Sequence, residues 1–262
     1  MDIFEELNLR RYINAQDTFT KYGASCMRAA SLRAMREIAS SCVDLAEVQE
    51  KTGDALAKLT HNEGAYISNG AASGIMIATA AALACDDERI YDALPEITGS
   101  RSEVIMFAGQ RNPYDRGCAA VGAKVRYVGT ETCAPTAQEL EDAMTPATAA
   151  VIYFIFFGRE YSLPLETVIE IAHKHHIPVF VDAAAQNPPA ENLWKFTRMG
   201  ADLWCSAAEK PCVAPRIPAW WLEKRNGLTA AAAMDRPRMA FAGGAKPPGK
   251  PLSACTKRCS SI

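Results

Sequence analysis

A turn rich in small residues is the first stretch of this sequence whose residue types could do chemistry. The stretch SNGAASG, Ser68 to Gly74, joins a short apolar run to a run of alanines and other small residues. Small side chains let backbone N–H groups approach an anion closely, and the first turn of a helix attracts negative charge. The stretch therefore predicts a phosphate site, although the same composition suits a helix that only packs tightly. It lacks the lysine of a P-loop and the glycine spacing of a dinucleotide fingerprint.

Asp182 is the second candidate, because it ends the apolar run IPVFVDAAA. A carboxylate at the end of a buried strand can cap the segment that follows. It can also face the nitrogen of a pyridine ring, where its charge keeps that nitrogen protonated and makes the ring an electron sink. The turn and the aspartate together are more specific than either alone.

The strands and helices that position the SNGAASG turn and Asp182 can be predicted from alternating patterns in the sequence. Apolar, β-branched runs predict strands buried on both faces, and apolar residues at helical spacing predict helices between them. This alternation indicates an α/β fold, a mostly parallel sheet wrapped by helices, with ligands at the carboxyl ends of the strands. The predicted strands are 65–68, 103–109, 124–129, 149–157 and 177–185, and the predicted helices are two within 31–57, one over 72–84 and one over 164–176.

The composition favours a protein that acts on a small molecule. Of the 262 residues 49% are hydrophobic and 22% are charged, and the formal net charge is -2, so no basic excess indicates nucleic acid or an anionic membrane as a partner. No apolar run approaches the ~20 residues of a membrane helix, and the first residues lack the apolar core of a secretory signal. We therefore expect a cytoplasmic protein.

The cysteines and histidines form no pattern typical of a metal site. The nine cysteines are scattered without a C-x-x-C pair, which predicts reduced and mostly buried thiols. His173, His175 and His176 end a predicted helix, where partly cationic side chains suit the carbonyl end of the helix dipole. His61 has no carboxylate or nucleophile near it in the sequence for a Ser-His-Asp arrangement.

Several stretches of the chain resemble a family of pyridoxal-phosphate enzymes, the one that contains bacterial L-seryl-tRNA(Sec) selenium transferase and D-glucosaminate-6-phosphate ammonia lyase. The resemblance covers nearly everything up to Leu203. It is carried by RRYINAQDTFTKYGAS from Arg10, VDLAEVQEKTGDALAKLT from Val43, AYISNGAASG from Ala65, RNPYD from Arg111 and VDAAAQNPPAENLWKFTRMGADL from Val181. It implies an aspartate-aminotransferase-like large domain, and a homo-oligomer in intact relatives.

The resemblance also implies where pyridoxal 5'-phosphate would bind. The phosphate would lie near the SNGAAS turn and the pyridine nitrogen near Asp182, while Gln110 stands where family members often have a histidine whose ring lies on the cofactor. No basic tRNA-binding extension precedes Arg10, so the chain is more similar to the small-molecule lyase branch. The cofactor-binding residues that the resemblance implies are Ser68, Gly70, Ala71, Ala72, Gln110 and Asp182.

The lysine that such an enzyme needs lies, in the family, in a stretch like D-L-V-x-[FY]-S-G-[GA]-K-x-x-x-G-P, whereas this chain has DLWCSAAEKPCVAP. Restoring one G before the codon of Trp204, with synonymous codons chosen freely, converts the residues that follow to VVFSGGKTLCGPQDSGLVVGK. We therefore predict a single-base frameshift after Leu203, either genuine or an error of sequencing. Both frames place the candidate catalytic lysine at Lys210, whose present neighbours Glu209 and Pro211 also suit an ordinary surface lysine.

The predicted frameshift sets one of the predicted domain boundaries, after Leu203. Residues 1–60 are predicted to form an N-terminal helical segment and residues 61–203 a cofactor-binding α/β domain. Residues 204–262 are predicted to be an out-of-frame tail without its own core, because they show no strand period and many prolines. The C-terminal domain of the family would then be missing or scrambled.

The sequence thus predicts a pyridoxal-phosphate-dependent lyase or transferase that acts on an amino acid or amino sugar and is impaired by the frameshift. Arg111 and Arg159 could each hold a substrate carboxylate or phosphate, or form surface ion pairs. The alternative is a non-catalytic remnant or a cofactor-binding scaffold. A nicotinamide-binding domain is disfavoured by the absent G-x-G-x-x-G and by the position of Asp182.

Overall fold

Helices and strands alternate along the chain, as the sequence predicts. The computed structural model describes residues 2–15, 26–85, 87–97, 99–155, 158–187 and 189–207, together with the backbone of residues 218–223. The elements are α1 (Ile3–Glu6), α2 (Ala29–Ala39), α3 (Leu45–Leu59), β1 (Gly64–Asn69), α4 (Gly70–Ala84), α5 (Glu88–Ala93), β2 (Glu103–Phe107), α6 (Arg116–Ala120), β3 (Lys124–Val128), α7 (Ala137–Ala143), β4 (Thr148–Phe154), α8 (Leu165–Lys174), β5 (Val179–Asp182), α9 (Asn192–Met199), β6 (Leu203–Ala207) and β7 (Pro218–Glu223).

The helix boundaries follow local sequence. Asp44 begins α3 by accepting a hydrogen bond from the Ala46 N–H at 2.9 Å. Thr136 and Glu139 form a capping box at the start of α7, in which each side chain binds the other residue's backbone N–H. Gly200 ends α9 with a φ of 108°, a conformation that glycine adopts without strain.

Seven strands form one sheet in the order β1-β7-β6-β5-β4-β2-β3. Strands β2 to β6 pair in parallel, whereas β7 is antiparallel to both β1 and β6. Because β7 is antiparallel to both neighbours, β1 runs in the same direction as the parallel strands. The carboxyl ends of β1, β4, β5 and β6 therefore lie along one edge of the sheet, which we call the carboxyl edge.

The sheet separates two apolar layers. The α4 layer contains Ile75 of α4 together with Met106, Ile152 and Cys205 of the strands. The opposite layer contains residues of α8 and α9 and the alternate residues of the same strands, among them Ile105, Val151, Val181 and Trp204. Both faces of the central strands are buried, which explains why their sequences are almost continuously apolar. The predicted α/β fold with a mostly parallel sheet is confirmed.

Strand β3 differs from its prediction. It lies at the end of the strand order, and Lys124, Arg126 and Tyr127 are exposed. The prediction that this strand is buried on both faces is wrong, because only Val128 of β3 is buried.

The stretch from Leu203 contains strands, although its sequence shows no two-residue strand period. All five residues of β6 are buried, and β7 lies between β6 and β1. A strand that is buried on both faces has no two-residue alternation of apolar and polar residues, so this pattern does not predict the strand. Both strands complete the same sheet, while residues 208–217 and 224–262 lie outside the described residues. The predicted division at residue 203 stays a prediction.

The described cysteines are less buried than predicted. Cys118 and Cys205 are buried and Cys85 is half-buried, but Cys26, Cys42 and Cys133 are exposed. The exposed three lie in segments that flank α2 or follow β3, which do not face either apolar layer. The expectation of mostly buried thiols is therefore wrong for this part of the chain.

Two histidines at the end of α8 join separate elements. The His173 Nε2 lies 2.7 Å from Asp202 Oδ2, and the His175 Nε2 lies 2.9 Å from Glu141 Oε1. The same Asp202 oxygen accepts a hydrogen bond from the Val179 N–H at the start of β5. The first contact joins the end of α8 to the segment before β6, and the second joins it to α7.

Candidate active site

The turn between β1 and α4 presents a helix start without a side-chain cap. Gly70 has a φ of 88°, in the region that favours glycine. Asn69 stands at the N-cap position but gives no side-chain hydrogen bond to the first turn. The Ser68 and Ser73 hydroxyls donate to backbone carbonyls, those of Gly70 at 3.0 Å and Asn69 at 2.8 Å. The first N–H groups of α4 thus receive no cap from Asn69, and the donor set fits the phosphate of a cofactor.

Asp182 ends β5 with its side chain half-buried on the α4 side of the sheet. One carboxylate oxygen, Oδ1, accepts a hydrogen bond from the Ala184 N–H at 2.9 Å. The side chain lines a small cavity together with Ile75 and Ala78 of α4. Asp182 and the start of α4 therefore share one face of the sheet and its carboxyl edge. The cavity beside Asp182 is lined by the middle of α4 and not by Gly70, Ala71 or Ala72, so the shared cofactor site stays a prediction.

Cys205 of β6 lies beside Asp182, because the two residues pair in register on adjacent parallel strands. Its thiol is buried and lines the same small cavity. Burial, followed by the negative charge of Asp182, raises the pKa of the Cys205 thiol well above its usual value. The sequence analysis did not single out Cys205, since no local pattern tells which residue of one strand faces a given residue of another.

Gln110 lies at the carboxyl edge, but its polar atoms bond within the protein. The side-chain Nε2 donates to Ser162 Oγ at 3.0 Å, and Oε1 accepts from the Phe154 N–H at 2.9 Å. Gln110 is 1% exposed. The side chain therefore joins the segment after β2 to the end of β4, the strand next to Asp182.

Arg111 forms the surface ion pair that was one of its two predicted roles. Its Nε lies 3.6 Å from Asp115 Oδ2, and its guanidinium carbon lies 4.9 Å from the centre of the Tyr127 ring. The Tyr127 hydroxyl donates to the same Asp115 oxygen at 3.1 Å. Burial and the Asp115 charge raise the pKa of Tyr127, so this hydroxyl is a donor at neutral pH.

Arg159 lines a larger cavity of about 260 Å³ on the opposite side of the sheet from Asp182. Tyr153 and Phe196 contribute to its buried floor, and Lys195 and Glu166 contribute charged side chains. Within the part of the chain that the structure describes, the guanidinium of Arg159 and the ammonium of Lys195 have no ion-pair partner. The sequence analysis identified Arg159 but missed Lys195, which lies in the middle of a helix with no neighbouring motif.

Two further features can be examined in the described residues, whereas Lys210 cannot. Lys210 lies outside them, so its position relative to Asp182 stays a prediction. In the described ranges no three metal-ligating side chains cluster. No helix there is long and apolar enough to cross a membrane.

A family model matches the central part of the chain. The DegT/DnrJ/EryC1/StrS aminotransferase family matches residues 49–188, which is more than half of the sequence and includes both the turn and Asp182. The chain belongs to this family. Its members are pyridoxal-phosphate enzymes, so the expected family resemblance is confirmed.

Individual relatives agree with the family. D-glucosaminate-6-phosphate ammonia lyase of Salmonella typhimurium is 30% identical over 220 residues, which are 82% of this chain and 58% of that protein. A Streptomyces 5'-C-glycyluridine monooxygenase-decarboxylase is 28% identical over 222 residues, 81% of this chain and 54% of that protein. The solved structure of a D-glucosaminate-6-phosphate ammonia-lyase has a TM-score of 0.81 at 28% identity and covers 89% of this chain and 63% of its own. The chain spans less than two thirds of each of these relatives.

Proposed function

We propose that this chain is a pyridoxal-phosphate-dependent lyase or transferase that acts on an amino acid or amino sugar. The observation that carries the proposal is that Asp182 at the end of β5 and the turn that follows β1 lie at the same carboxyl edge of the sheet, with α4 packed on the face where the Asp182 side chain lies. A carboxylate and an uncapped helix start suit the two ends of a pyridine ring that bears a phosphate. The named activities of the similar ammonia lyase and decarboxylase support the same class of chemistry.

Different residues of the site would hold different parts of the cofactor. The backbone of Gly70, Ala71 and Ala72 would bind the phosphate, with Ser68 shaping the turn through its bond to the Gly70 carbonyl. Asp182 would keep the ring nitrogen protonated. When bound, pyridoxal phosphate supplies an electron sink for the bond that breaks at the substrate carbon.

Gln110 takes a supporting role in this proposal. It is engaged with Ser162 and Phe154, so it holds the end of β4 in place beside the cofactor site. A rigid edge matters because a cofactor and its substrate react only in a narrow range of geometries.

For the anionic part of the substrate we propose Arg159, with Lys195 as a second cation; their cavity lies on the opposite side of the sheet from Asp182, so the substrate would have to reach across the carboxyl edge to the cofactor. Both cations lack an ion-pair partner in the described ranges, whereas Arg111 is engaged by Asp115. A guanidinium matches a carboxylate or a phosphate through two parallel hydrogen bonds. A substrate that carries an amine and an anionic group, as the amino sugar phosphate in the name of the similar lyase does, fits this assignment.

Lys210 is the lysine that we assign to the cofactor aldehyde and to proton transfer at the substrate carbon. Its neighbours Glu209 and Pro211 replace the small residues of the family stretch, so the loop that places the amine is altered. This change favours a second candidate function, a cofactor-binding scaffold or non-catalytic remnant created by a frameshift after Leu203.

We also propose that this chain forms a homo-oligomer in the cytoplasm. No residue of α2 is buried, and Leu32, Met35 and Ile38 on this helix are each about half exposed, at 49%, 45% and 49%. These apolar residues recur every third position and therefore lie on one side of the helix. We propose that they pack against a second copy of the chain in a homo-oligomer, with a small amino compound as the substrate and neither membrane nor nucleic acid as a partner.

The test of the proposed function compares two proteins, the present chain and the chain with one G restored before the codon of Trp204. Each is mixed with pyridoxal phosphate, its visible spectrum is recorded, and borohydride is added to trap any lysine adduct for peptide mapping. The restored chain should give a cofactor absorbance band and a modified lysine at position 210. The present chain should give little of either.

The outcomes separate the two candidate functions. Stoichiometric modification of Lys210 in the present chain would rule out the remnant and support an enzyme with an altered loop. Cofactor binding without lysine modification supports the scaffold. Absence of binding by both proteins would overturn the cofactor site itself.

A further inference from the structure

Asn69 and Gly70 form an Asn-Gly pair at the junction of β1 and α4. Asn69 is the exposed last residue of β1, and Gly70 is the first residue of α4. The proposed function uses the backbone of Gly70 but gives no role to the Asn69 side chain. In such a pair the side-chain amide carbon of asparagine can reach the next backbone nitrogen, and glycine has no Cβ to hinder the approach. The pair therefore combines a reactive amide with an unhindered nitrogen.

The surroundings of Asn69 leave its amide group unengaged. In the described ranges the Asn69 side chain makes no hydrogen bond, although the residue stands at the N-cap of α4. The Asn69 carbonyl, by contrast, accepts a hydrogen bond from the Ser73 hydroxyl at 2.8 Å. In the sheet Asn69 pairs with Pro218 of β7, and proline has no N–H group to donate to a neighbouring strand. The described structure therefore holds the backbone carbonyl of Asn69 but not its side-chain amide.

We infer that Asn69 is a site of spontaneous deamidation in the folded protein. The Gly70 nitrogen loses its proton to water and attacks the Asn69 Cγ, so that a new C–N bond forms and the Cγ–Nδ2 bond breaks. The Nδ2 group takes up a proton and leaves as ammonia, and a five-membered imide ring remains. One water molecule then opens the ring, which gives aspartate or, if the ring opens at the main-chain carbon, isoaspartate. Water is the only co-reactant of the two steps.

The product places a carboxylate at the N-cap of α4, where an uncharged amide stands before the reaction. Aspartate is among the best N-cap residues, because its side chain accepts a hydrogen bond from the N–H group of the second or third helical residue. In α4 these residues are Ala71 and Ala72, whose N–H groups the proposed function gives to the cofactor phosphate. The added negative charge also repels the phosphate. Deamidation therefore weakens cofactor binding, a consequence that rests on the proposed function, whereas the deamidation itself does not.

Peptide mapping of the full chain tests the deamidation without cofactor. The folded protein is kept at a mildly alkaline pH, and mass spectrometry follows the conversion of each asparagine to its acid, with isoaspartate measured in the same peptides. Asn69 should convert about tenfold or more faster than Asn192. Asn192 is the matched control, because its side chain donates to the Gln186 carbonyl and leucine follows it. Asn69→Gln should stay unmodified at this position, since its longer side chain closes a less favourable six-membered ring. Conversion of Asn69 no faster than that of Asn192 would overturn the inference.

Equilibrium titration with pyridoxal phosphate tests the effect on the site. Asn69→Asp reproduces the deamidated product and should bind the cofactor about tenfold more weakly than the parent. Asn69→Ser provides a neutral N-cap and should lose less than about threefold, which separates the charge from the cap. Equal binding by Asn69→Asp and the parent would refute the effect on the site while leaving the proposed function intact. If the parent binds no cofactor, the proposed function fails, whereas peptide mapping still decides the deamidation.

Discussion

Gln110→Leu should destabilise the protein by about 2–4 kcal/mol, because it removes a buried bridge at the carboxyl edge. The Phe154 N–H would lose its acceptor at 2.9 Å in a place where both residues are at most 2% exposed. An unsatisfied buried donor costs about 1–3 kcal/mol, and the lost bond to Ser162 Oγ adds about 1 kcal/mol. Leucine has nearly the volume of glutamine, so little of the change comes from a cavity.

Urea unfolding of the full chain, followed by far-UV circular dichroism, measures this change as a midpoint lowered by roughly 1 M. Gln138→Leu is the matched control. Its side chain also makes one good hydrogen bond, to Asp142 Oδ1 at 2.8 Å, but it is exposed on α7. The control should change the unfolding free energy by less than ~0.5 kcal/mol. If Gln110→Leu is no more destabilising than Gln138→Leu, the bridge does not support this edge.

Three more substitutions or reactions test other parts of the fold. Gly53→Ala should lower the free energy of unfolding in urea by about 1–3 kcal/mol, because the new Cβ would lie 2.3 Å from the Ala65 carbonyl oxygen. This clash outweighs the ~1 kcal/mol that alanine gains over glycine in helix propensity. A more stable variant would contradict the close packing of α3 on β1. Thr136→Ala should cost about 1 kcal/mol in thermal or chemical unfolding by removing the α7 capping box, and an unchanged stability would refute the cap. Burial raises the pKa of the Cys118 thiol to about 11. Alkylation at pH 8, followed by mass spectrometry, should therefore modify Cys118 far more slowly than the exposed Cys42. Equal rates would show that Cys118 is accessible.

Local sequence determined the central elements of this protein. Four of the five predicted strands recur as β1, β2, β4 and β5, and the break near residues 40–42 separates α2 from α3. Apolar content, turn residues and helix caps act within a few residues of one another, so the sequence carries them directly. Asp182 and the turn at Gly70 were found for the same reason, because each is a break at the end of an apolar run.

Only the tertiary structure decided which strands are neighbours. Strand β3 lies at one end of the sheet and is mostly exposed, and β6 and β7 fill the positions beside β5 and β1. The pairing of Asp182 with Cys205 and the bridge from Gln110 to Phe154 join residues 23 and 44 positions apart. Strand order and register are set by backbone hydrogen bonds and packing between distant segments, and no pattern inside a single segment contains them.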